Sequence, residues 1–147
     1  MPTKRGSIPT CYASCSIGHQ PEHNLPAKLK AISQAGFDAI ELSMPDLLSF
    51  ANEKLKKDVG PKDYDDLCQV GPEVKKLCQE LGLKILILQP FANFEGWKKG
   101  SVEAKDAIER AKGWVRIMES VGTDMLQVSD PRKISRVFDC GPPLWRR

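Results

Sequence analysis

Three features of the chain predict an α/β fold of about four parallel strands. The run Leu83 to Leu88 is apolar apart from Lys84, as a strand covered on both faces requires; a strand with one wet face would alternate. It opens at Gln89-Pro90 into Phe91-Ala-Asn-Phe-Glu-Gly-Trp97, a loop of aromatics, an amide and a carboxylate. Polar groups are thus delivered at a strand end. The third feature is a repeat. Gly36-Phe-Asp-Ala-Ile-Glu41, Gly82-Leu-Lys-Ile-Leu-Ile-Leu-Gln89 and Gly122-Thr-Asp-Met-Leu-Gln127 each run from a helix-stopping glycine through an apolar strand to one acid or amide. Strands alternating with helices imply right-handed parallel crossovers, so all strand ends face one way.

The elements follow in order. Residues 8 to 17, rich in small and β-compatible side chains and closed by Gly18, form a first strand whose core spans about 8 to 15, with Pro9 tolerated at its start. Cys11 and Cys15, four apart, are expected on one strand face in the core. Asn24 caps a helix carrying Leu25, Leu29 and Ile32 and stopped by Gly36. A second strand covers 37 to 42. Leu47 to Lys57 suggests a short helix, followed by a linker at Gly60-Pro61.

A further helix turns Val74, Leu77, Cys78 and Leu81 inward and ends at Gly82. Gly71-Pro72 either starts it or kinks a longer helix from near Asp63, because proline fits a first turn but costs about 3 kcal/mol inside. The third strand spans 83 to 89. Ser101 then caps a helix with Ala104, Ile108, Ala111, Val115 and Met118 on one face and Gly122 as stop; Gly113 within it costs about 1 kcal/mol relative to alanine. The last strand covers 124 to 128.

Composition narrows the function classes. The chain has 147 residues, 41% hydrophobic and 28% charged, with 22 basic and 19 acidic side chains interspersed to a net charge of +3. The longest basic cluster before the tail, Lys54 to Lys57, reads as the solvated face of a short helix, so nucleic acid is not expected as a partner. No run approaches a membrane span, and Met1 to Ser7 lacks the apolar core of a signal peptide, so a cytoplasmic protein is expected. Five cysteines without a Cys-x-x-Cys pair, and two histidines away from zinc-finger spacing, suggest reduced core thiols.

Strand starts near 8, 37, 84 and 124 recur about every 39 residues, and eight such units, roughly 310 residues, would close a (β/α)8 TIM barrel. Four strands make its N-terminal half. Residues 1–130 are therefore read as a partial barrel. Residues 131–147 show neither a completed amphipathic helix nor a following strand, as a truncation or altered reading frame would produce. Four strands cannot close a barrel, and apolar side chains such as Ile40, Leu86, Leu88 and Leu126 are expected to suffer from a missing opposite half.

Glu41, Gln89 and Gln127 fall at strand ends and are expected on one rim. Each alone could be a strand reaching water; three together suggest a site. Phe91, Phe94 and Trp97 either cap the barrel end or wall a small polar ligand. His19 and His23 read more readily as solvated loop residues than as ligands.

The stretches Cys-Tyr-Ala-Ser-Cys-Ser-Ile-Gly-His (11 to 19), Ala-Gly-Phe-Asp-Ala-Ile-Glu-Leu-Ser (35 to 43), Leu-Gln-Pro-Phe-Ala-Asn-Phe-Glu-Gly-Trp (88 to 97) and Gly-Thr-Asp-Met-Leu-Gln-Val (122 to 128) resemble fungal 3-dehydroshikimate dehydratases. More broadly they resemble the xylose isomerase-like sugar phosphate isomerase/epimerase superfamily. The Gly-Phe-x-x-Ile-Glu strand marks the superfamily; Leu-Gln-Pro-Phe followed by Gly-Trp marks the dehydratase-like branch. The resemblance runs from about residue 8 to residue 130.

That resemblance implies a metal-dependent lyase of quinate catabolism converting 3-dehydroshikimate to protocatechuate. Its single divalent ion, Mn or Mg, would be held by carboxylates and a histidine from strands five to eight, so no metal ligand carries over to this chain. Glu41, Gln89, Phe91 and Gln127 match pocket-side positions, and His19 falls in the loop bordering substrate. The alternatives are a sugar or hydroxy-carbonyl isomerase or epimerase using the same enolate, and a non-catalytic half-barrel that binds another protein. A zinc endonuclease of the superfamily would place histidines where this chain has Glu41 and Gln89.

Overall fold

The computed structural model describes residues 8–18, 20 and 22–129. Along the chain come β1 (Cys11–Ala13), a 3-10 turn (Ser14–Ser16), α1 (Leu25–Gln34), β2 (Ala39–Ser43), α2 (Met44–Leu55), α3 (Tyr64–Glu80), β3 (Lys84–Ala92), α4 (Val102–Val121) and β4 (Leu126–Ser129). The four strands form one parallel sheet in the order β1-β2-β3-β4. Sequential order with right-handed crossovers keeps every helix on the same face, which is half of a (β/α)8 barrel. The tail, 131–147, lies outside the described residues.

Local chemistry sets the helix ends. Asn24 Oδ1 accepts from the Ala27 amide at 3.1 Å, Ser43 Oγ from Asp46 at 3.4 Å and Ser101 Oγ from Ala104 at 3.2 Å, each satisfying a donor that the helix leaves unpaired. Gly122, at φ 79°, closes α4 in the left-handed region, its amide donating to the Met118 carbonyl at 2.8 Å.

Of the two readings around Pro72, the longer helix is the one formed. α3 starts at Tyr64 and carries Pro72 inside it. Leu67, Val70, Val74 and Cys78 are buried on one stripe that runs past the exposed proline, so packing on both sides offsets the lost backbone bond.

The expected face of α4 holds at Met118, which is buried, and at Ala111, which packs against the core, and is corrected at Ile108 and Val115. Ile108 and Val115 are 52% and 48% exposed, while Ala107, Trp114, Ile117, Met118 and Val121 are buried. The helix is turned by close contact with α3. A Cβ added at Gly113 would run into the Tyr64 ring, and one added at Gly71 would stand 2.7 Å from Ser120 Cβ. Both glycines therefore lie where α3 and α4 approach one another, and Gly113 offsets its helix-propensity cost by admitting Tyr64.

The core sits between the sheet and its helices, built from Leu29, Ile40, Leu42, Leu47, Phe50, Leu88 and Ile117 among others. Ile40 and Leu88 are fully buried there, whereas Leu86 and Leu126 are half-buried. The opposite face is not the apolar surface expected from the sequence. Alternation places Ala39, Glu41 and Ser43 on it, with Ile87 and Gln89 as their partners across β3. Small and polar residues dominate that face.

Strand boundaries also shift, by one or two residues at β2 and β4 and by more at β1 and β3. β1 ends at Ala13, so Cys15 stands exposed in the 3-10 turn rather than in a strand, and Cys11 is half-buried. β3 continues through the cis Gln89-Pro90 bond to Ala92, with a register shift against β4 between Leu88 and Phe91. Among the described residues, no helix is long and apolar enough to cross a membrane.

Candidate functional site

The inner sheet face brings three of the predicted residues together. Gln89 pairs in register with Ser43 and lies two residues further along the strand than the level of Glu41, which pairs with Ile87. Gln127 follows Leu126, the register partner of the core-facing Leu88, so it points to the same inner face as Gln89. Glu41 therefore lies one layer below the rim, with Gln89 and Gln127 at it. Gln89 is 8% exposed and its Nε2 donates to Cys15 Sγ at 3.4 Å; Gln127 is exposed and Glu41 half-buried.

Phe91 is placed differently from the expectation. It is 1% exposed, its ring 5.0 Å from Trp114 on α4 and 5.6 Å from Phe94. It belongs to the layer under the helices and does not open on the inner face; the register shift after Leu88 accompanies this placement. His19 lies outside the described residues.

Sequence reading missed the groups that fix this rim. Ser14 is fully buried; its Oγ donates to Asp46 Oδ2 at 2.6 Å and accepts from the Ser43 amide at 3.0 Å. Asp46 Oδ1 in turn receives Lys28 Nζ at 2.6 Å. The turn after β1, the start of α1, the end of β2 and the first turn of α2 are thereby tied together. Ser43-Met-Pro-Asp46 has the spacing of a capping box, which was a usable signal. Nothing local pointed to Lys28.

A second anchor holds the loop after β3. Arg110 on α4 donates from Nη1 to the Ala92 carbonyl at 2.9 Å and from Nη2 to the Asn93 carbonyl at 2.8 Å, and its Nε donates to Asp106 Oδ2 at 2.8 Å. Bonds from Lys62 and Arg110 hold the Asp106 carboxyl below its usual range. Trp97 Nε1 donates to Asn93 O at 2.9 Å, so the aromatic loop folds back on the strand end. Asn93, Trp97, Val102 and Arg110 line a cavity of about 560 Å³ beside it.

Electrostatically, the inner face is carboxylate and amide rather than cationic. Burial, then the Glu41 carboxylate, pushes the Cys11 thiol up and keeps it protonated. Among the described residues no group of three or more His, Cys, Asp or Glu side chains is placed to hold a metal ion. A divalent ion therefore does not fit these residues, which can offer hydrogen bonds to a polar ligand but not a coordination shell.

Comparison with known proteins agrees with this geometry. Residues 29–140 match the family model described as Xylose isomerase-like TIM barrel. A Pseudomonas aeruginosa protein named 3-dehydroshikimate dehydratase is 38% identical over 104 residues, which are 71% of this chain and 13% of that relative. A Neurospora crassa protein of the same name is 26% identical over 130 residues, 87% of this chain and 35% of that one. This chain thus spans a minor part of either. A solved xylose isomerase-like TIM barrel/4-hydroxyphenylpyruvate dioxygenase fusion protein superposes with a TM-score of 0.61 and 29% identity, over 84% of this chain and 16% of its own. With the parallel half-barrel, its polar inner rim and a family match over most of its length, the chain belongs to the xylose isomerase-like TIM barrel family.

Proposed function

We propose that these residues form one side of the substrate pocket of a 3-dehydroshikimate dehydratase, a lyase that gives protocatechuate. The reading rests on relatives that carry this name and match over 71% and 87% of this chain. The reaction removes a proton beside the ketone, and the resulting enolate expels hydroxide; water leaves and the ring becomes aromatic. The substrate is a small ring carrying hydroxyl, ketone and carboxylate groups. The Gln89 and Gln127 amides can donate to its oxygens, and Glu41 can accept from a hydroxyl. Phe91 supports the rim from beneath, while His19 is assigned to the substrate side on family resemblance alone.

The divalent ion expected for the complete enzyme, Mn or Mg, has no ligand set among the described residues, and no step is assigned to it. A cytoplasmic setting is part of the same proposal, supported by four free cysteines among the described residues.

The deciding assay follows ultraviolet absorbance. The complete protein, supplied with Mn or Mg, is expected to turn 3-dehydroshikimate into an aromatic acid and to stop when a chelator is added. Folded, metal-loaded protein that leaves the absorbance flat would favour a sugar or hydroxy-carbonyl isomerase or epimerase, which the breadth of the matched family also accommodates.

A further inference from the structure

Arg110 reaches from α4 back to the place where β3 turns into loop, and every nitrogen of its guanidinium is engaged. Two donate to the consecutive carbonyls of Ala92 and Asn93, and the third to Asp106. The guanidinium carbon also lies 5.2 Å from the centre of the Phe91 ring. Asn93 stands at φ 57°, in the left-handed region that asparagine enters more readily than most other non-glycine residues and that turns the chain out of β3. Its carbonyl is held twice, by Arg110 and by Trp97. Asp106, which aims the guanidinium, is itself held by Lys62 Nζ at 2.6 Å.

A lysine could not reproduce this arrangement, because one ammonium cannot span two carbonyls and a carboxylate in the fixed fork of a guanidinium. The clamp acts on the segment that carries Phe94 and Trp97 away from the end of β3, four residues after Gln89. Arg110 itself faces the helix layer through Phe91, so its influence on the rim is mechanical.

We propose that Arg110 is a positioning residue that sets the loop of residues 93–100 over the end of β3 and so governs how tightly substrate is held. This rests on the reading of that rim as the substrate pocket. On that reading the loop borders the bound substrate and takes no part in bond breaking, so the effect belongs in KM rather than kcat.

The test pairs hydrogen exchange with steady-state kinetics in the complete protein, using Arg110→Met, Arg110→Lys and Asp106→Asn. In Arg110→Met, amides of 93–100 are expected to exchange roughly tenfold faster while α1 and β2 are unchanged. KM for 3-dehydroshikimate should rise about tenfold with kcat within about threefold. Arg110→Lys should recover only part of both effects. Unchanged exchange in 93–100, or a fall in kcat with KM unaltered, would overturn the proposal. If Arg110→Met fails to fold, Asp106→Asn keeps the guanidinium but frees its aim, and about threefold changes in the same direction are then required. If the wild-type protein does not dehydrate 3-dehydroshikimate, the dehydratase reading falls, and the exchange measurement alone decides whether Arg110 holds the loop.

Discussion

Lys28 Nζ lies 2.6 Å from Asp46 Oδ1, with the two side chains only 10% and 13% exposed. The other carboxylate oxygen takes the hydroxyl of buried Ser14, so removing either charge strands partners in a site with little water. Loss of one member of a buried pair costs about 3–5 kcal/mol, whereas exposed pairs are worth under about 1. Lys28→Met and Asp46→Leu are each expected to lower stability in urea by about 3 kcal/mol, and Lys28→Met/Asp46→Leu by clearly less than their sum. Single changes costing under about 1 kcal/mol would place the pair with ordinary surface bridges.

The approach of α3 to α4 yields a second expectation. An alanine ordinarily improves a helix by about 1 kcal/mol over glycine. At Gly71 its Cβ would meet Ser120, with the Ser120 backbone carbon 3.2 Å away. Gly71→Ala and Gly113→Ala should therefore both destabilise, by about 1–3 kcal/mol. Thermal melts showing either to be stabilising would mean that the helices can separate without cost.

Burial pushes the Cys78 thiol up to about 12. A thiol whose folded value is raised contributes stability that is complete below its unfolded value of about 8.5 and is lost as pH rises toward the folded value. Stability is thus expected to decline between about pH 9 and 12, and the decline should flatten in Cys78→Ala. In the native protein a thiol reagent at pH 8 should modify exposed Cys15 well before Cys78. Equal rates for the two would contradict the packing described.

Gln89 and Phe91 separate the two sides of β3. Gln89→Leu keeps the volume but removes the amide, and is expected to lower kcat/KM of the complete protein at least about tenfold with little loss of stability. Phe91→Ala empties the space beside Trp114 and should cost about 3–5 kcal/mol of stability. Reversal of that pattern, with Phe91 mattering for KM and Gln89 for the melt, would put the pocket on the other face of the sheet.

Residues 1–147 expressed alone are expected to leave the paramagnetic resonance signal of free Mn unchanged at micromolar concentrations, because the described residues place no three ligating side chains together. A signal quenched stoichiometrically would locate ligands in this chain and revise the account of the rim.

The sequence by itself determined what short-range chemistry controls. Asn24 and Ser101 cap their helices, Gly122 ends one, and the repeated glycine-to-amide unit produces parallel strands whose inner face carries Glu41, Gln89 and Gln127. These follow from hydrogen bonds and alternation within a few residues. Tertiary structure decided the rest. Trp114 is buried against Phe91 and Ile108 is exposed on α4, although both are apolar, while Tyr64 occupies the space at Gly113. Pro72 sits within α3 because the core on either side outweighs one missing backbone bond. Phe91 turns toward Trp114 once β3 continues past Pro90 with its register shifted against β4, which no local pattern announces. Lys28 meets Asp46 from another helix, and Arg110 meets the Ala92 and Asn93 carbonyls from α4. Such partners come together only when the crossovers have stacked the helices, so their pairing is a property of the assembled fold rather than of any stretch of text.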